Sequence, residues 1–168
     1  ILLLVGTVVV YQQLNYIQQK NLGYNRDNLL LLPVEGELGK KFPVLREKLQ
    51  QDPNISSVSV MGYSPHFINS NTTTVHWPGK TPNNEISFYH TSVGYDLVKT
   101  LRLELLAGRD FSRNLASDSS GYLINEEAAR IMGYKNPVGQ PLTFWGKPGK
   151  IIGVLKNFHF ASLHDPIE

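Results

Sequence analysis

The sequence has no cysteine, and its charges nearly cancel, with 16 Lys and Arg residues against 14 Asp and Glu residues. The lack of cysteine excludes a disulfide scaffold, a zinc site built on thiolates and a thiol nucleophile. Because no basic stripe with interleaved aromatic residues is present, we expect no nucleic-acid partner. The 168 residues contain no repeat of fixed period, and they suffice for one domain, or two small lobes, with a buried core.

Signatures of nucleotide-binding, hydrolytic and metal sites are also missing. Gly146–Lys150 has two glycines, but it has neither the spacing nor the Lys-Ser/Thr ending of a phosphate-binding loop. No Gly-x-Ser-x-Gly elbow occurs. The histidines lack the spacing of zinc ligands; they are His66, His76, His90, His159 and His164. The sequence therefore predicts no catalytic residue, no metal and no cofactor.

Two groups of polar residues match catalytic sets only in composition. Ser162, His164 and Asp165 are the residue types of a hydrolytic triad, but neighbours in sequence rarely converge as nucleophile, base and orienting group. Glu126 and Glu127 suggest an acid–base pair, but adjacent helix residues point in different directions. A place in the first turn of a helix, where the helix dipole favours carboxylates, explains both glutamates.

Three aromatic residues leave a ligand-binding function open. Trp77, Tyr63 and Phe67 lie in or beside a polar stretch rich in Ser, Thr, Asn, Pro and Gly. Such a cluster lines a ligand pocket or, more often, packs in the core or in a loop. The first alternative predicts a soluble or membrane-anchored binding module with an aromatic pocket near Trp77. A hydrolase with an unrecognised site would instead require polar residues that converge in a cleft.

The first eleven residues, Ile1–Tyr11, carry no charge and contain nine Ile, Leu, Val or Tyr residues. At ~1.5 Å per residue they cover roughly 16 Å of helix, about half of a ~30 Å hydrocarbon core. They are the outer end of a transmembrane helix, a first strand or helix of a soluble core, or the remnant of a signal peptide. Apolar residues at helical spacing continue into the polar sequence that follows, which favours a membrane helix prolonged as a helical stalk over Val8–Asn21.

The next part of the sequence predicts a β-α-β unit. Asn28–Val34 is a short apolar run that we interpret as a buried strand ending at Pro33. Apolar residues at positions 42, 45 and 49 predict an amphipathic helix, with Pro43 in its first turn. Ile55–Tyr63 alternates Val with Ser and predicts a half-buried strand. Two strands joined by a helix usually run parallel as neighbours, with a right-handed crossover.

The remaining sequence predicts a mixed arrangement of short elements. Asn125 is a good N-cap for a helix that Gly133 ends. The polar stretch at 64–85 predicts a loop with one short strand around Thr73–Trp77. A further short helix is expected at Tyr95–Leu101, and strands are expected at Ile86–Val93, Leu103–Leu106, Tyr122–Ile124, Leu142–Trp145 and Lys150–Leu155, the last two joined across residues 146–149.

Four blocks, in order along the chain, resemble the extracytoplasmic domain of ABC transporter permeases of the MacB/FtsX type. Ile151–Glu168 is similar to the family segment IGVxxxFHxxSLxxPI, and Gln13–Asn28 resembles the exit of the membrane helix and the first turn of the domain. Tyr95–Phe111 resembles the block that ends in Gly-Arg-x-Phe. Tyr122–Gly139 resembles the block Asn-Glu-x-Ala-Ala followed by Asn-Pro-Val/Ile-Gly. The four blocks together extend over nearly the whole chain.

The resemblance implies an α+β fold of two small α/β lobes preceded by a helical stalk. Residues 1–22 would form the end of the transmembrane helix and the stalk, and residues 23–168 the MacB-like periplasmic core domain. Within it, residues 23–63 belong to a porter-like β-α-β lobe, 64–150 to an inserted lobe and 151–168 to the return into the porter-like lobe. In the family a further strand-helix-strand segment completes that lobe, so we expect part of its sheet to lie after Glu168.

The function that the resemblance implies is mechanical. Such permeases pair with a cytoplasmic ATP-binding subunit or domain, work as homodimers or pseudo-dimers, and lie in the bacterial inner membrane with this domain in the periplasm. The domain moves against a partner or substrate, such as a periplasmic adaptor, a lipoprotein or a regulator of cell-wall hydrolases. A transmission element needs rigid lobes and a stiff stalk rather than a catalytic pocket, so we expect no enzymatic activity in this chain.

Overall fold

The computed structural model describes residues 2–81 and 85–160. It has the mixed α and β class that the sequence predicts. The helices are α1 (Leu2–Gln19), α2 (Gly36–Lys40), α3 (Phe42–Gln50), α4 (Leu97–Leu101) and α5 (Glu126–Met132). The strands are β1 (Asn71–Thr72), β2 (Val75–His76), β3 (Phe88–Tyr89), β4 (Leu105–Gly108), β5 (Gly121–Asn125), β6 (Pro141–Phe144) and β7 (Lys147–Leu155).

The main sheet is organised around β7, which pairs with three other strands. Strand β5 runs parallel to it, whereas β4 and β6 run antiparallel, and β2 adds to β6. A two-residue turn joins β6 to β7, since Trp145 and Gly146 both have positive φ, as a type I′ hairpin turn requires. The expected longer connection over 146–149 is wrong, because Lys147 already pairs with Phe144. Strands β1 and β3 form a separate antiparallel pair.

Two clusters of buried side chains form the core. The first is formed by side chains of the main sheet, of α5 and of neighbouring segments. It includes Trp77, Phe88 and Ile151, of which Ile151 is only 1% exposed. The second surrounds α4 and includes Tyr24, Leu101 and Leu155. Because β7 contributes to both clusters, this strand links the two halves of the core.

Local signals in the sequence position two helices as expected. The Asn125 side chain accepts a hydrogen bond from the Ala128 amide at the start of α5, and Gly133 ends this helix with φ of 75°. Pro43 lies in the first turn of α3. The predicted face of α3 turns inward, and Leu45 and Leu49 on it are half-buried.

The predicted β-α-β unit is wrong in both of its strands. Residues 28–34 form no strand, and no described segment pairs with them. Leu30 is 77% exposed there, so its apolar side chain lacks the cover that a buried strand requires. Residues 55–63 form only an isolated bridge between Met61 and Val93, because their hydrogen bonds go to the loop before α4 rather than to a strand. The predicted helix α3 is the part of the unit that forms.

Other elements differ from the expectation mainly in length. The strand expected at 86–93 is reduced to β3, and the short helix α2 precedes the predicted helix α3. The short strand expected near Thr73–Trp77 is β2, and β1 precedes it in a stretch expected to be a loop. Such short strands depend on their partners rather than on their own sequence.

Helix α1 is a single exposed helix. Its large apolar side chains remain uncovered, from Leu3 at 86% exposure to Leu14 at 52%. The alternative of a buried strand or buried helix at the start of the chain is therefore wrong. The helix predicted over Val8–Asn21 is confirmed as far as Gln19. Within residues 2–81 and 85–160, no helix combines the length and the apolar character needed to cross a membrane.

Candidate functional site

Helix α1 joins the body of the protein through residues 22–27, which we call the junction. The amide of Asn25 donates a hydrogen bond of 2.9 Å to the carbonyl of Leu101, at the end of α4. The amide of His159 donates one of 2.7 Å to the carbonyl of Leu22. Two segments distant in sequence therefore hold the backbone just after the stalk helix.

Gly23 allows the junction to lie close against the segment after β7. Its φ is 84°, a left-handed conformation that favours glycine. A Cβ atom at this position would lie 2.7 Å from Cβ of Phe158 and 2.8 Å from the carbonyl oxygen of Asn157. The Asn21 side chain also accepts a hydrogen bond of 2.8 Å from the Gly23 amide. Any larger residue at 23 would separate the two backbones.

Tyr24 anchors the junction in the core. Its side chain belongs to the cluster around α4 and packs edge-to-face on Phe158, with ring centroids 6.5 Å apart. Burial raises the pKa of the Tyr24 phenol, and the nearby Arg26 lowers it in part. The ring is therefore a neutral apolar anchor at physiological pH.

A second attachment, which we call the seam, connects residues 46–62 to the region of α4. Arg46 is buried, and its guanidinium pairs with Asp96, just before α4, and donates to the carbonyl of Val58 at 3.2 Å. The Ser57 and Thr100 hydroxyls lie 2.8 Å apart. The seam continues in two backbone hydrogen bonds, Gly62 to Ser92 and Gly94 to Val60.

Junction and seam meet at the same helix. The junction bonds to Leu101 and the seam to Asp96 and Thr100, so both ends of α4 are held. Leu97 and Leu101 on this helix are buried in the core. Helix α4 is therefore the element that the junction and the seam share.

A third polar cluster fixes the loop between β4 and β5. Arg109 donates two hydrogen bonds of 2.6 Å to the buried carboxylate of Asp118, and the Ser112 amide donates a third, of 2.7 Å. These donors, led by Arg109, lower the pKa of Asp118 to about 2. The carboxylate is charged and fully engaged, so it stabilises the loop and is not available as an acid or base.

The junction borders a groove of about 610 Å³ beside the end of α1. Four basic side chains line it, together with two carboxylates and His159. Lys156 and Glu104 form an exposed ion pair of 2.8 Å. The charged residues of the groove are Lys20, Arg26, Asp27, Arg102, Glu104 and Lys156. Among the described residues that line the groove, basic side chains thus outnumber carboxylates.

The aromatic residues considered for a ligand pocket do not come together. Trp77 is buried in the core, with its ring 5.8 Å from that of Phe88. Tyr63 and Phe67 are exposed. A larger cleft of about 900 Å³ lies between the two core clusters, and Tyr63, but neither Trp77 nor Phe67, lines it. Trp77 itself does not line this cleft, but Phe88, which packs against it, does.

The two glutamates considered as an acid–base pair, Glu126 and Glu127, bond to different partners. Glu126 accepts a hydrogen bond of 3.0 Å from the Asn157 amide, whereas Glu127 pairs with Arg130, which lowers the pKa of Glu127. Ser162, His164 and Asp165 lie outside the described residues. In the part of the chain that the structure describes, no three His, Asp or Glu side chains are grouped to hold a metal ion.

Sequence reasoning missed the contacts that build the junction and the seam. Gly23 stands in a polar stretch where nothing local distinguishes a tight backbone approach from an ordinary turn. Arg46 is one of several charged residues on α3, and its partner Asp96 is fifty positions away. A usable signal was the position of the charge at 46, since a residue three positions before Leu49 is its neighbour on the helix surface and borders the inward face.

Comparison with known proteins places the chain in a family. Among solved structures, it resembles the periplasmic region of MacB from Actinobacillus actinomycetemcomitans, with 19% identity and a TM-score of 0.46 over 69% of this chain and 50% of that one. It also resembles a domain of a protein described as a permease from Porphyromonas gingivalis, with 18% identity and a TM-score of 0.41 over 69% and 48%.

The chain thus spans about half the length of these two structures. No curated protein matches it. The model of the MacB-like periplasmic core domain, in contrast, matches residues 1–166, nearly the whole sequence. The chain therefore belongs to the family of MacB-like periplasmic core domains.

Proposed function

We propose that this chain is the extracytoplasmic part of an ABC transporter permease of the MacB/FtsX type, and that it passes ATP-driven motion from the membrane to a periplasmic partner. The observation that carries the proposal is the junction. The chain leaves α1 and is held within a few residues by backbone hydrogen bonds to Leu101 and His159, and by the buried ring of Tyr24. Such an attachment transmits a movement rather than absorbing it.

The shape of α1 supports the same role. Its 18 residues form a rod of roughly 27 Å. Its exposed apolar side chains suit the interior of a bilayer, and we place the outer end of a membrane helix there. A shift or rotation of this rod acts on α4, where the junction and the seam meet. The domain thus moves as a body against its partner.

The partners that follow from this role lie on both sides of the membrane. A cytoplasmic ATP-binding subunit or domain supplies the energy, because this chain has no nucleotide-binding signature of its own. A second permease copy forms the other half of the transporter. In the periplasm the domain acts on an adaptor, a lipoprotein or a cell-wall regulator, and it takes part in efflux, lipoprotein transport or cell-wall regulation without catalysing a reaction.

The test compares two glycines in the full-length permease, reconstituted with its ATP-binding partner in proteoliposomes. Gly23→Ala places a Cβ atom 2.7 Å from Phe158 at the junction, whereas at Gly79 no atom lies within 4 Å of the added Cβ. Both positions have positive φ, so both substitutions carry similar backbone strain. Gly79→Ala is therefore a matched control for that strain.

The measurements are ATP hydrolysis and the distance between spin labels on the two periplasmic domains, with and without nucleotide. We expect wild type and Gly79→Ala to show a nucleotide-dependent change of distance. Gly23→Ala should keep ATP hydrolysis but lose most of this change. A domain whose label distances ignore nucleotide in the wild type would contradict the proposal, and so would a Gly23→Ala variant that moves like the control.

The apolar cleft between the two core clusters favours one alternative, a binding module. Its volume of about 900 Å³ lies within the range of small-molecule sites, and Met61, Tyr89, Val93 and Phe160 are among its apolar lining. Titration with the apolar dye N-phenylnaphthylamine tests this function. Saturable binding of one dye per chain, abolished by Val93→Trp in a folded protein, would support the alternative; absence of saturable binding would exclude this cleft as an apolar site.

A further inference from the structure

We propose that the cleft between the two core clusters binds a single-chain amphiphile, with the apolar chain inside the cleft and one anionic group at Lys147. The cleft has a volume of about 900 Å³, and residues of α4 and of the β6–β7 hairpin line it. The inference goes beyond the mechanical role and does not require it. It rests on the alternative function, a binding module, because it names the ligand class and the polar end of the same cleft.

The wall of the cleft is mainly apolar from one end to the other. Phe144 and Trp145 line it at the hairpin, and Leu97 and Leu101 line it at α4. Leu101 belongs to the core cluster around α4, whereas Phe144 packs against the cluster of the main sheet. The cleft therefore passes from one core cluster to the other, and an apolar chain is the kind of molecule that gains most from burial along such a wall.

One charge at the cleft has no partner of opposite sign. Among the described residues that line the cleft, Asp118 and Lys147 are the only Asp, Glu, Lys or Arg residues. The carboxylate of Asp118 is fully engaged by Arg109 and by the Ser112 amide. Lys147, in contrast, forms no ion pair with any described residue. Its ammonium group therefore remains to balance an anionic group on a ligand.

His90 lies at the same end of the cleft but adds no second positive charge. Its ring centroid is 4.8 Å from that of Phe144 and 4.8 Å from that of Trp145, and its Nε2 atom lies 3.2 Å from the Ser70 hydroxyl. Burial lowers the pKa of His90 below its ordinary value of 6.5. The imidazole is therefore mainly neutral at pH 7, and a ligand group with one negative charge matches the single charge of Lys147.

The β6–β7 hairpin places Lys147 beside the aromatic part of the wall. Lys147 pairs directly with Phe144 across the hairpin, and directly paired residues on antiparallel strands have their side chains on the same face of the sheet. Phe144 lines the cleft, and Lys147 is exposed at its edge. An anionic group held there stays in contact with water while the chain is buried, so it avoids the cost of a fully buried charge.

The cleft offers little to a ligand rich in polar groups. Four of the serine and threonine residues that line it already use their hydroxyl groups in hydrogen bonds within the protein; they are Ser70, Thr91, Ser119 and Ser120. A sugar or another polyol would have to break such bonds or leave its own hydroxyl groups unpaired. The observations therefore favour an apolar chain with one charged end.

The experiment measures binding of dodecanoate to the 168-residue chain by isothermal titration calorimetry, and binding of dodecanol, which has the same chain without the charge. The test variant is Lys147→Gln. The matched control is Lys150→Gln, which removes the same charge from an exposed position of β7 that lies on the other face of the strand and does not line the cleft. Val93→Trp fills the cleft but leaves α1 unchanged, so it reports any amphiphile bound to the exposed helix. Circular dichroism establishes that each protein is folded.

We expect the wild type and Lys150→Gln to bind one dodecanoate per chain, roughly 5-fold more tightly than dodecanol, because an ion pair at an exposed edge contributes about this much. Lys147→Gln should bind both ligands with the affinity for dodecanol. Shortening the chain to decanoate should weaken binding roughly 4-fold for each CH₂ group removed, since each one is buried in the cleft. Val93→Trp should bind neither ligand.

Three outcomes would overturn the inference. Equal affinity of the wild type for dodecanoate and dodecanol, or an equal loss in Lys147→Gln and Lys150→Gln, would remove the anionic end and leave the cleft as an apolar site. Binding that Val93→Trp retains would place the amphiphile outside the cleft. Binding of neither dodecanoate nor N-phenylnaphthylamine would contradict the inference and the binding module together, whereas the mechanical role, which the spin-label distances test, would be unaffected.

Discussion

The sheet around β7 and the segment from 26 to 63 use their apolar residues in opposite ways. In the sheet, Ile151 is 1% exposed, and Val154 and Leu155 beside it are also buried. In the segment, three consecutive leucines are largely exposed, at 77%, 49% and 57% for Leu30, Leu31 and Leu32. An apolar run thus predicts burial only where another part of the chain is available to cover it.

The means of attachment differ as well. Apolar side chains from β5, β6, β7 and α5 form one packed cluster under the sheet. The segment is held by the polar seam, in which the buried Arg46 bonds to Asp96 and to the carbonyl of Val58. Only a few of its apolar side chains, such as Leu29 and Met61, pack against the cluster around α4. Packing is cooperative and non-directional, whereas the seam depends on a few directional contacts. We therefore expect the two regions to respond differently to single substitutions.

The largest expected difference separates Ile151→Ala from Leu31→Ala. Removing the buried side chain of Ile151 leaves a cavity in the core and should lower the free energy of unfolding by about 3–4 kcal/mol. The exposed Leu31 should change it by less than about 0.5 kcal/mol. Urea denaturation measures both. A loss at Leu31 as large as that at Ile151 would mean that the segment is as tightly packed as the sheet.

The next prediction concerns acid. The pKa of Asp118 is about 2 in the folded protein against an ordinary value of 3.8, because Arg109 and the Ser112 amide stabilise the charged form. A carboxyl group with a lowered pKa stabilises the folded protein at pH values above its ordinary pKa. This stabilisation is lost as pH falls from about 4 towards about 2. The unfolding free energies of wild type and Asp118→Asn should therefore converge over this range.

Urea denaturation at a series of pH values measures this convergence. Arg109→Gln is the second variant, since it removes the main cause of the lowered pKa and leaves the carboxylate in place. It should flatten the same part of the pH profile. A constant difference between wild type and Asp118→Asn from pH 6 to about pH 2 would show that the carboxylate is not stabilised in the folded protein.

The sequence predicts the sheet better than the junction for a physical reason. The Asn125 cap and the Gly133 terminator are encoded within a few residues of where they act, and so is the β6–β7 hairpin, apart from the length of its turn. The strand expected at 28–34 needed a distant partner, and none of the described residues provides one. Contacts such as Arg46 with Asp96 join residues fifty positions apart, so no local pattern reports them.

A smaller, local effect is expected at the seam. Asp96→Asn keeps a residue that tolerates the left-handed φ of 65° at this position but leaves the buried Arg46 charge without its carboxylate. Since Asp96 itself is partly exposed, we expect a local cost of about 1–2 kcal/mol. Hydrogen exchange of the Gly62 and Gly94 amides should become roughly 5- to 30-fold faster.

The Ala128 amide in α5 should exchange at its wild-type rate, because α5 belongs to the other region. Glu47→Gln is the control, as it changes an exposed carboxylate on the same helix as Arg46. Faster exchange at all three amides would mean that the seam is part of a single cooperative unit with the sheet. That result would remove the difference between the two regions.

The smallest effect is expected at the helix cap, which a local signal in the sequence predicts. The Asn125 side chain accepts a hydrogen bond of 2.9 Å from the Ala128 amide, one of the unpaired donors at the start of α5. Asn125→Ala should therefore lower the free energy of unfolding by about 1 kcal/mol, whereas Asn125→Asp, which keeps an acceptor, should restore most of it. Asn136→Ala, in the exposed turn after α5, should have almost no effect. Urea denaturation measures the free energy of unfolding of the wild type and the three variants. If Asn125→Asp is as unstable as Asn125→Ala, the contribution of Asn125 comes from contacts other than the acceptor at the cap.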